Sequence, residues 1–203
     1  MKRLYLVRHG QSEWNSERRL QGQADIALTA HGRAQALQLK PIIAGLAPDR
    51  VLTSDLSRAR ETASLLGYES AEPCAPLREI DVGGWTGLPI ADLEANDIEA
   101  YRGWRAGNFT PPRGEDWEAF KTRASGVVTR CLADGCEKPL LVAHGGVIRA
   151  ILESLLDLRP SRIVPVGPAS LTVLKHAQTN GRDEFRLELF NFLPAGPAFD
   201  APD

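Results

Sequence analysis

Cysteine is scarce in this chain, three residues among 203, and the count is odd. Proteins of this length from oxidising compartments carry paired cysteines, so Cys74, Cys131 and Cys136 are expected as reduced thiols of a cytoplasmic protein. Cys131 and Cys136 have no second cysteine pair and no histidine nearby, which argues against zinc. The carboxylates of Asp25, Asp55 and Asp81 are scattered, so no metal site of any kind is expected. Charge of one sign is also lacking, since 24 Lys+Arg stand against 26 Asp+Glu for a formal net charge of −2. Bulk electrostatic attraction to nucleic acid or to an acidic membrane is excluded, and any anion must be bound locally. Long apolar runs are missing too. Leu4 to Val7 is far too short for a signal-peptide core or a membrane span, and no other stretch is long enough.

What is present suits one compact domain, with 43% hydrophobic and 25% charged residues. Residues 3–7, 50–53 and 139–143 are short apolar runs rich in branched side chains and bounded by polar, Gly or Pro residues. They read as buried strands. Helical spacing follows Thr29 as N-cap, then covers about 56–66, 115–132 and 147–156. Strands alternating with helices imply a mostly parallel sheet with helices on both faces, a three-layer α/β/α sandwich. Residues 171–175 and 185–189 read as two further strands, the second alternating as an edge strand does. There is no internal repeat.

The domain is expected to span residues 1–192. Gly and Pro collect between residues 67 and 114, around a helix expected at about 90–101. The stretch from about 80 to 114 therefore reads as a lid-like insertion. Residues 193–203 have few large apolar side chains and read as a loose tail.

In an open α/β sheet the ligand site lies beyond the carboxyl ends of the strands. Three such ends are chemically loaded: Arg8-His9-Gly10 after the first strand, Ser54 to Arg58 after the second, and His144-Gly145-Gly146 after the third. Arg58 falls one helical turn after Ser54 and can point back to that edge. Two arginines and two histidines in one crevice ask for an anion, most simply a phosphoryl group, which matches the guanidinium fork and a helix N-terminus. Cationic neighbours disfavour protonation, keeping an imidazole neutral and nucleophilic.

The blocks LVRHGQSEWN, LQGQADIALT, TSDLSRARETA, LREIDVGGWTG and LVAHGGVIR, in that order over residues 4–149, resemble the histidine phosphatase superfamily in its phosphoglycerate mutase-like branch. The resemblance implies a phosphohistidine mechanism on a three-layer α/β/α fold, needing no metal and no cofactor. It makes His9 the nucleophile, Arg8 and Arg58 the phosphate clamps, His144 the second histidine and Glu79 the proton donor. Asn15, Gln21, Gly22 and Gly145 match positions lining the phosphate or substrate pocket. Where many members carry an aromatic and a second acidic residue after the donor, this chain has Val82 and Thr86, which leaves the pocket wall open.

Single residues also admit plainer readings. Arg58 could be a solvated partner of Glu61, and Glu79 part of a surface cluster with Arg78 and Asp81. His31 reads as a partly exposed first-turn residue and His176, near a strand end, as solvated. Trp14, Trp85, Trp104 and Trp117 read as core or lid anchors, with Trp104 able to reach a substrate. The expected activity is hydrolysis of a small phosphorylated metabolite, and the small size class includes α-ribazole phosphatases. Two alternatives stand: a bisphosphoglycerate-dependent mutase, and a phospho-ligand binding module. The short stretch between Glu79 and His144 favours hydrolysis over transfer, because little material is left to exclude water. An intact nucleophile and donor speak against a binder. The oligomeric state is open, a homodimer included.

Overall fold

The computed structural model describes residues 1–196. Its first half runs β1 (Arg3–Arg8), α1 (Glu13–Ser16), α2 (Ala30–Leu46), β2 (Arg50–Thr53), α3 (Ser57–Leu65), β3 (Glu72–Pro73) and α4 (Ile90–Asn96). The second half runs α5 (Ile98–Arg105), α6 (Trp117–Ala133), β4 (Pro139–Ala143), α7 (Gly145–Leu156), β5 (Leu171–Thr179) and β6 (Arg182–Phe192).

One six-stranded sheet has the order β3-β2-β4-β1-β5-β6. The pairs β3·β2, β2·β4 and β4·β1 are parallel, while β5 runs antiparallel to both β1 and β6. The strands of the parallel part are near-continuous in apolar residues because both faces are covered. On one face Tyr5, Val7, Leu140 and Val142 pack with Leu39 and Ile43 of α2 and Ala63 of α3. On the other, Leu4, Leu6 and Leu141 pack with Phe120, Val127 and Val128 of α6 and Val147 and Ile151 of α7. The three-layer α/β/α arrangement expected from the sequence is the one found.

Register is what builds the site. Arg8 pairs with Ala143 and Thr53 with Val142, so the residues that follow, His9, Ser54 and His144, emerge side by side at one sheet edge. Backbone bonds continue the ladder past the strand ends, from His9 N–H to Ala143 (2.9 Å) and from Ser54 N–H to Val142 (2.9 Å).

Several boundaries differ from the sequence expectation. The helix expected over 90–101 is two helices, broken at Asp97, whose φ of −153° and ψ of 53° are not helical. The last two strands are longer than expected, because Asn180 and Gly181, both at positive φ, close a hairpin between them. Two short elements escaped the sequence reading. In α1, Ser12 caps the helix with Asn15 in place of the usual Glu or Gln, and β3 is a two-residue edge containing Pro73. Of the tail, Leu193 is half-buried and packs by Gly167; residues 197–203 lie outside the described residues. His176, expected to be exposed, has a side chain only 7% exposed. It bonds Met1 O (2.7 Å) and Asp183 (2.8 Å). His31 is exposed, as expected. Among the described residues no helix is long and apolar enough to cross a membrane.

Candidate active site

A cavity at this sheet edge, with about 20 Å³ of room for a water-sized occupant, is lined by residues that include Arg8, His9, Gln21, Gly22, Arg58 and Glu79. Their side chains come from β1, the segment after α1, α3 and the loop that precedes the insertion. His9 is 2% exposed and Arg8 and Arg58 are each 1% exposed.

The His9 ring is held by its Nδ1, which lies 2.6 Å from the Gly10 carbonyl oxygen. A carbonyl only accepts, so Nδ1 carries the proton and Nε2 keeps its lone pair. The proton affinity of His9 is pushed well below the ordinary imidazole value, first by burial and then by Arg58 and Arg8. The sequence reading credited the cations; burial is the larger cause. His144 is wholly buried, with its ring centroid 5.1 Å from that of His9. It too is held neutral, by burial ahead of Arg58, His9 and Arg8. Its Nε2 meets Ser54 Oγ at 2.8 Å, while Nδ1 has no hydrogen-bond partner among the described residues.

Arg8 and Arg58 are both tied to backbone. Arg8 Nη1 donates to Val166 O (2.5 Å), and Arg58 donates to Ala24 O (2.6 Å) and Gly22 O (2.9 Å). Arg58 is therefore no partner of Glu61, which pairs instead with Arg33. Burial lowers the pKa of each guanidinium to about 10, which leaves both charged at neutral pH.

Glu79 is half-buried, and its carboxylate is placed by two backbone amides. Ile80 N–H donates to Oε1 (2.8 Å) and Gly146 N–H donates to Oε2 (3.0 Å). The second of these belongs to the first turn of α7, beside His144. Arg78 is occupied with Asp55 (2.7 Å), so Glu79 is not part of a surface charge cluster. The loop is fastened from below by Arg123 of α6, which donates to the carbonyls of Pro76 (2.8 Å), Arg78 (2.7 Å) and Glu79 (3.0 Å) and pairs with Glu115 (2.6 Å).

Asn15 is buried, and its Oδ1 accepts from Ser12, whose hydroxyl also meets Gln21 Oε1 at 2.7 Å. Gln21 and Gly22 line the cavity, whereas Asn15 stands behind them. Gly145 lies against the Arg8 guanidinium, which a Cβ there would meet at 3.7 Å. Val82, where relatives of the resembled family differ, forms apolar wall together with Leu20, Ile80 and Trp104. Thr86 is exposed and takes no part in that wall. Among the described residues no cluster of three or more His, Cys, Asp or Glu is arranged to hold a metal.

Three contacts of the site were missed from sequence: Ser54 as the partner of His144, Arg123 as the fastener of the Glu79 loop, and Arg149 in the cavity wall. Only Arg149 had a usable signal. It lies one helical turn beyond Gly145 and so faces the same side.

Neutral imidazoles among fixed guanidiniums, with a carboxylate opposite, define an enzyme that handles phosphoryl groups through histidine. The chain belongs to the histidine phosphatase superfamily (branch 1), whose family description matches residues 4–191, and it is a phosphatase. It is similar to the glucosyl-3-phosphoglycerate phosphatase of Mycobacterium tuberculosis, 32% identical and covering 94% of each chain. It is also 38% identical to the probable phosphoglycerate mutase GpmB of Klebsiella pneumoniae, over 78% of this chain and 76% of that protein. The solved structure of a mycobacterial glucosyl-3-phosphoglycerate phosphatase with VO3 matches at a TM-score of 0.84 and 32% identity, covering 94% of this chain and 99% of the other.

Proposed function

We propose that this phosphatase hydrolyses a small phosphorylated metabolite through a covalent phosphohistidine on His9. The observation that carries the reading is the 2.6 Å contact of His9 Nδ1 with Gly10 O, which leaves the nucleophilic lone pair on Nε2 in a cavity walled by Arg8 and Arg58.

In the first step Nε2 of His9 forms a bond to phosphorus as the ester P–O bond breaks. Arg8, Arg58 and His144 hold the phosphoryl oxygens and stabilise charge in the transition state. Glu79 gives its proton to the departing alcohol oxygen. In the second step water attacks phosphorus, the P–N bond breaks, and Glu79 takes the water proton. Orthophosphate leaves. Positioning residues surround these groups: Ser54 orients His144, Asn15 supports Gln21, and Gln21, Gly22 and Gly145 shape the pocket. We read residues 1–192 as one domain, with residues 80–114 as a lid that opens to admit substrate and shuts Trp104 over it. The sparse and odd set of cysteines supports a cytoplasmic location.

His9→Ala is expected to abolish both turnover and trapping of phosphate on the protein. A variant that keeps near-normal activity defeats the covalent mechanism.

The likeness to a probable phosphoglycerate mutase favours a second reading, return of the phosphoryl group from His9 to another hydroxyl. Hydrolysis is preferred because the phosphatase relative aligns over 94% of the chain against 78% for the mutase. Assay of 3-phosphoglycerate with and without 2,3-bisphosphoglycerate separates the two: bisphosphate-dependent isomerisation selects the mutase, and orthophosphate release selects the phosphatase.

A further inference from the structure

Thr62 of α3 is fully buried, and its hydroxyl, which none of the steps above uses, stands against the loop that carries the nucleophile. The hydroxyl proton is already committed. Thr62 Oγ1 donates to Arg58 O, one helical turn back, at 2.7 Å, so what it offers outward is a lone pair. That lone pair takes Gly10 N–H at 3.1 Å, from a residue 52 positions away in sequence.

Gly10 is the joint between two peptide units. The unit behind it ends in Gly10 N–H, which Thr62 holds. The unit ahead begins with the carbonyl that meets His9 Nδ1 at 2.6 Å and ends in Gln11 N–H, which donates to Gln35 Oε1 of α2 at 3.0 Å. Without a side chain, Gly10 has a wide choice of φ and ψ, so the angle between the two units is set by what grips them. One grip comes from α2 and the other from α3. Gly10 itself is buried, so an N–H released by Thr62 has no solvent to turn to and must move to find a new acceptor.

We propose that Thr62 is a positioning residue for the nucleophile: by holding Gly10 N–H it keeps the Gly10 carbonyl on His9 Nδ1, and so keeps the lone pair of Nε2 available to phosphorus. The assignment rests on the covalent reading of His9 given above. A released Gly10 can swing its carbonyl off the ring. The imidazole then loses what distinguishes its two nitrogens, and the tautomer protonated on Nε2, which has no lone pair there to give, becomes populated. The grip on the phosphoryl oxygens is separate, because Arg8 and Arg58 are anchored on Val166, Ala24 and Gly22. The mark of the role is therefore slower bond making with anion binding kept.

The test pairs Thr62→Val, which keeps the branched shape and removes the hydroxyl, with Thr62→Ser, which keeps the hydroxyl. With p-nitrophenyl phosphate, Thr62→Val is expected to lower kcat/KM by about tenfold or more, and Thr62→Ser to stay within about threefold of wild type. The inhibition constant of orthophosphate should change by less than about twofold in both. Nitrogen NMR of the imidazoles, with His9→Gln for assignment, should show His9 as the Nδ1–H tautomer in wild type and a share of Nε2–H in Thr62→Val. A Val variant with wild-type kcat/KM overturns the assignment. So does one that loses activity with His9 still wholly Nδ1–H, or with orthophosphate binding weakened in step, since the effect would then run through Arg58. Should Thr62→Val fail to fold, hydrogen exchange of wild type decides: the Gly10 amide is expected to exchange about 10²-fold or more slowly than an exposed amide, and exchange at the exposed rate overturns the hold. Turnover by wild type beside an indifferent Val variant defeats only the role of Thr62, whereas a wild type that does not hydrolyse the ester defeats the phosphatase reading beneath it.

Discussion

At the scale of single residues, the site depends on what is missing from two side chains. A Cβ on Gly146 would collide with Oε1 of Glu79, and a Cβ on Gly10 would run into the backbone of Gly32 at the start of α2. Neither glycine has the left-handed φ that would demand it, so close approach is the reason for both. Gly146→Ala should therefore push the Glu79 carboxylate out of place while α7 remains helical. The expected result is a fall in kcat of about 10²-fold or more for alkyl phosphates, within the range general acid catalysis supplies. The loss should be smaller for p-nitrophenyl phosphate, whose leaving group needs no proton. Equal losses on both esters would show that the substitution harms something other than proton donation. That His9, Arg8, Arg58 and Glu79 meet at one cavity, with the His144 ring beside His9, was legible from their blocks. Arg149 and Ser54 were less so, because their roles come from what the fold sets beside them.

At the scale of elements, the donor loop has little regular structure of its own. It is held by one side chain from α6, since Arg123 donates to the carbonyls of Pro76, Arg78 and Glu79, pairs with Glu115 and lies 4.7 Å over the Phe120 ring. Arg123→Ala strands the carbonyls of Pro76 and Arg78 and leaves that of Glu79 with Gln23 Nε2 alone, at 3.3 Å. We expect it to cost about 1–3 kcal/mol, read as a melting temperature lower by about 2–12 °C, because charged hydrogen bonds of this kind carry that order of energy. A fall in kcat should accompany it. Arg123→Lys should rescue little, because an ammonium cannot reproduce the planar fork. Full rescue by lysine would mean that charge alone fastens the loop. Nothing local in sequence marks the role of Arg123, because the three carbonyls it holds lie 44 to 47 residues away. The same scale holds the sequence reading's clearest oversight. Asn180-Gly181 between two apolar runs is a strong hairpin signal, and it explains why β5 and β6 extend well beyond 171–175 and 185–189.

At the scale of the whole molecule, the parallel strands and their helices were readable because buried strands are near-continuously apolar and the helices carry helical spacing, α2 with a capping Thr29 in addition. The antiparallel pairing of β5 with β1 and the break at Asp97 depend on tertiary context. The buried histidines give the entire fold a pH signature. His9 and His144 are neutral when folded, with proton affinities below the unfolded value of about 6.5, so each gains a proton on unfolding. Stability is full above that value and declines as pH falls beneath it, by up to about 1.4 kcal/mol per pH unit for each residue. The melting temperature should drop between pH 7 and pH 5, and the His9→Gln/His144→Gln double variant should show a shallower drop. Parallel curves would place the acid sensitivity elsewhere.

The backbone anchors of Arg8 and Arg58 have one more outcome. Guanidiniums already seated on the carbonyls of Val166, Gly22 and Ala24 need no ordering to grip an anion, and they cannot tell an incoming ester from the ion left after cleavage. Orthophosphate is thus expected to compete with the ester, so that the apparent KM rises in proportion to added inorganic product; a KM that does not move would show the seat to be selective for the ester.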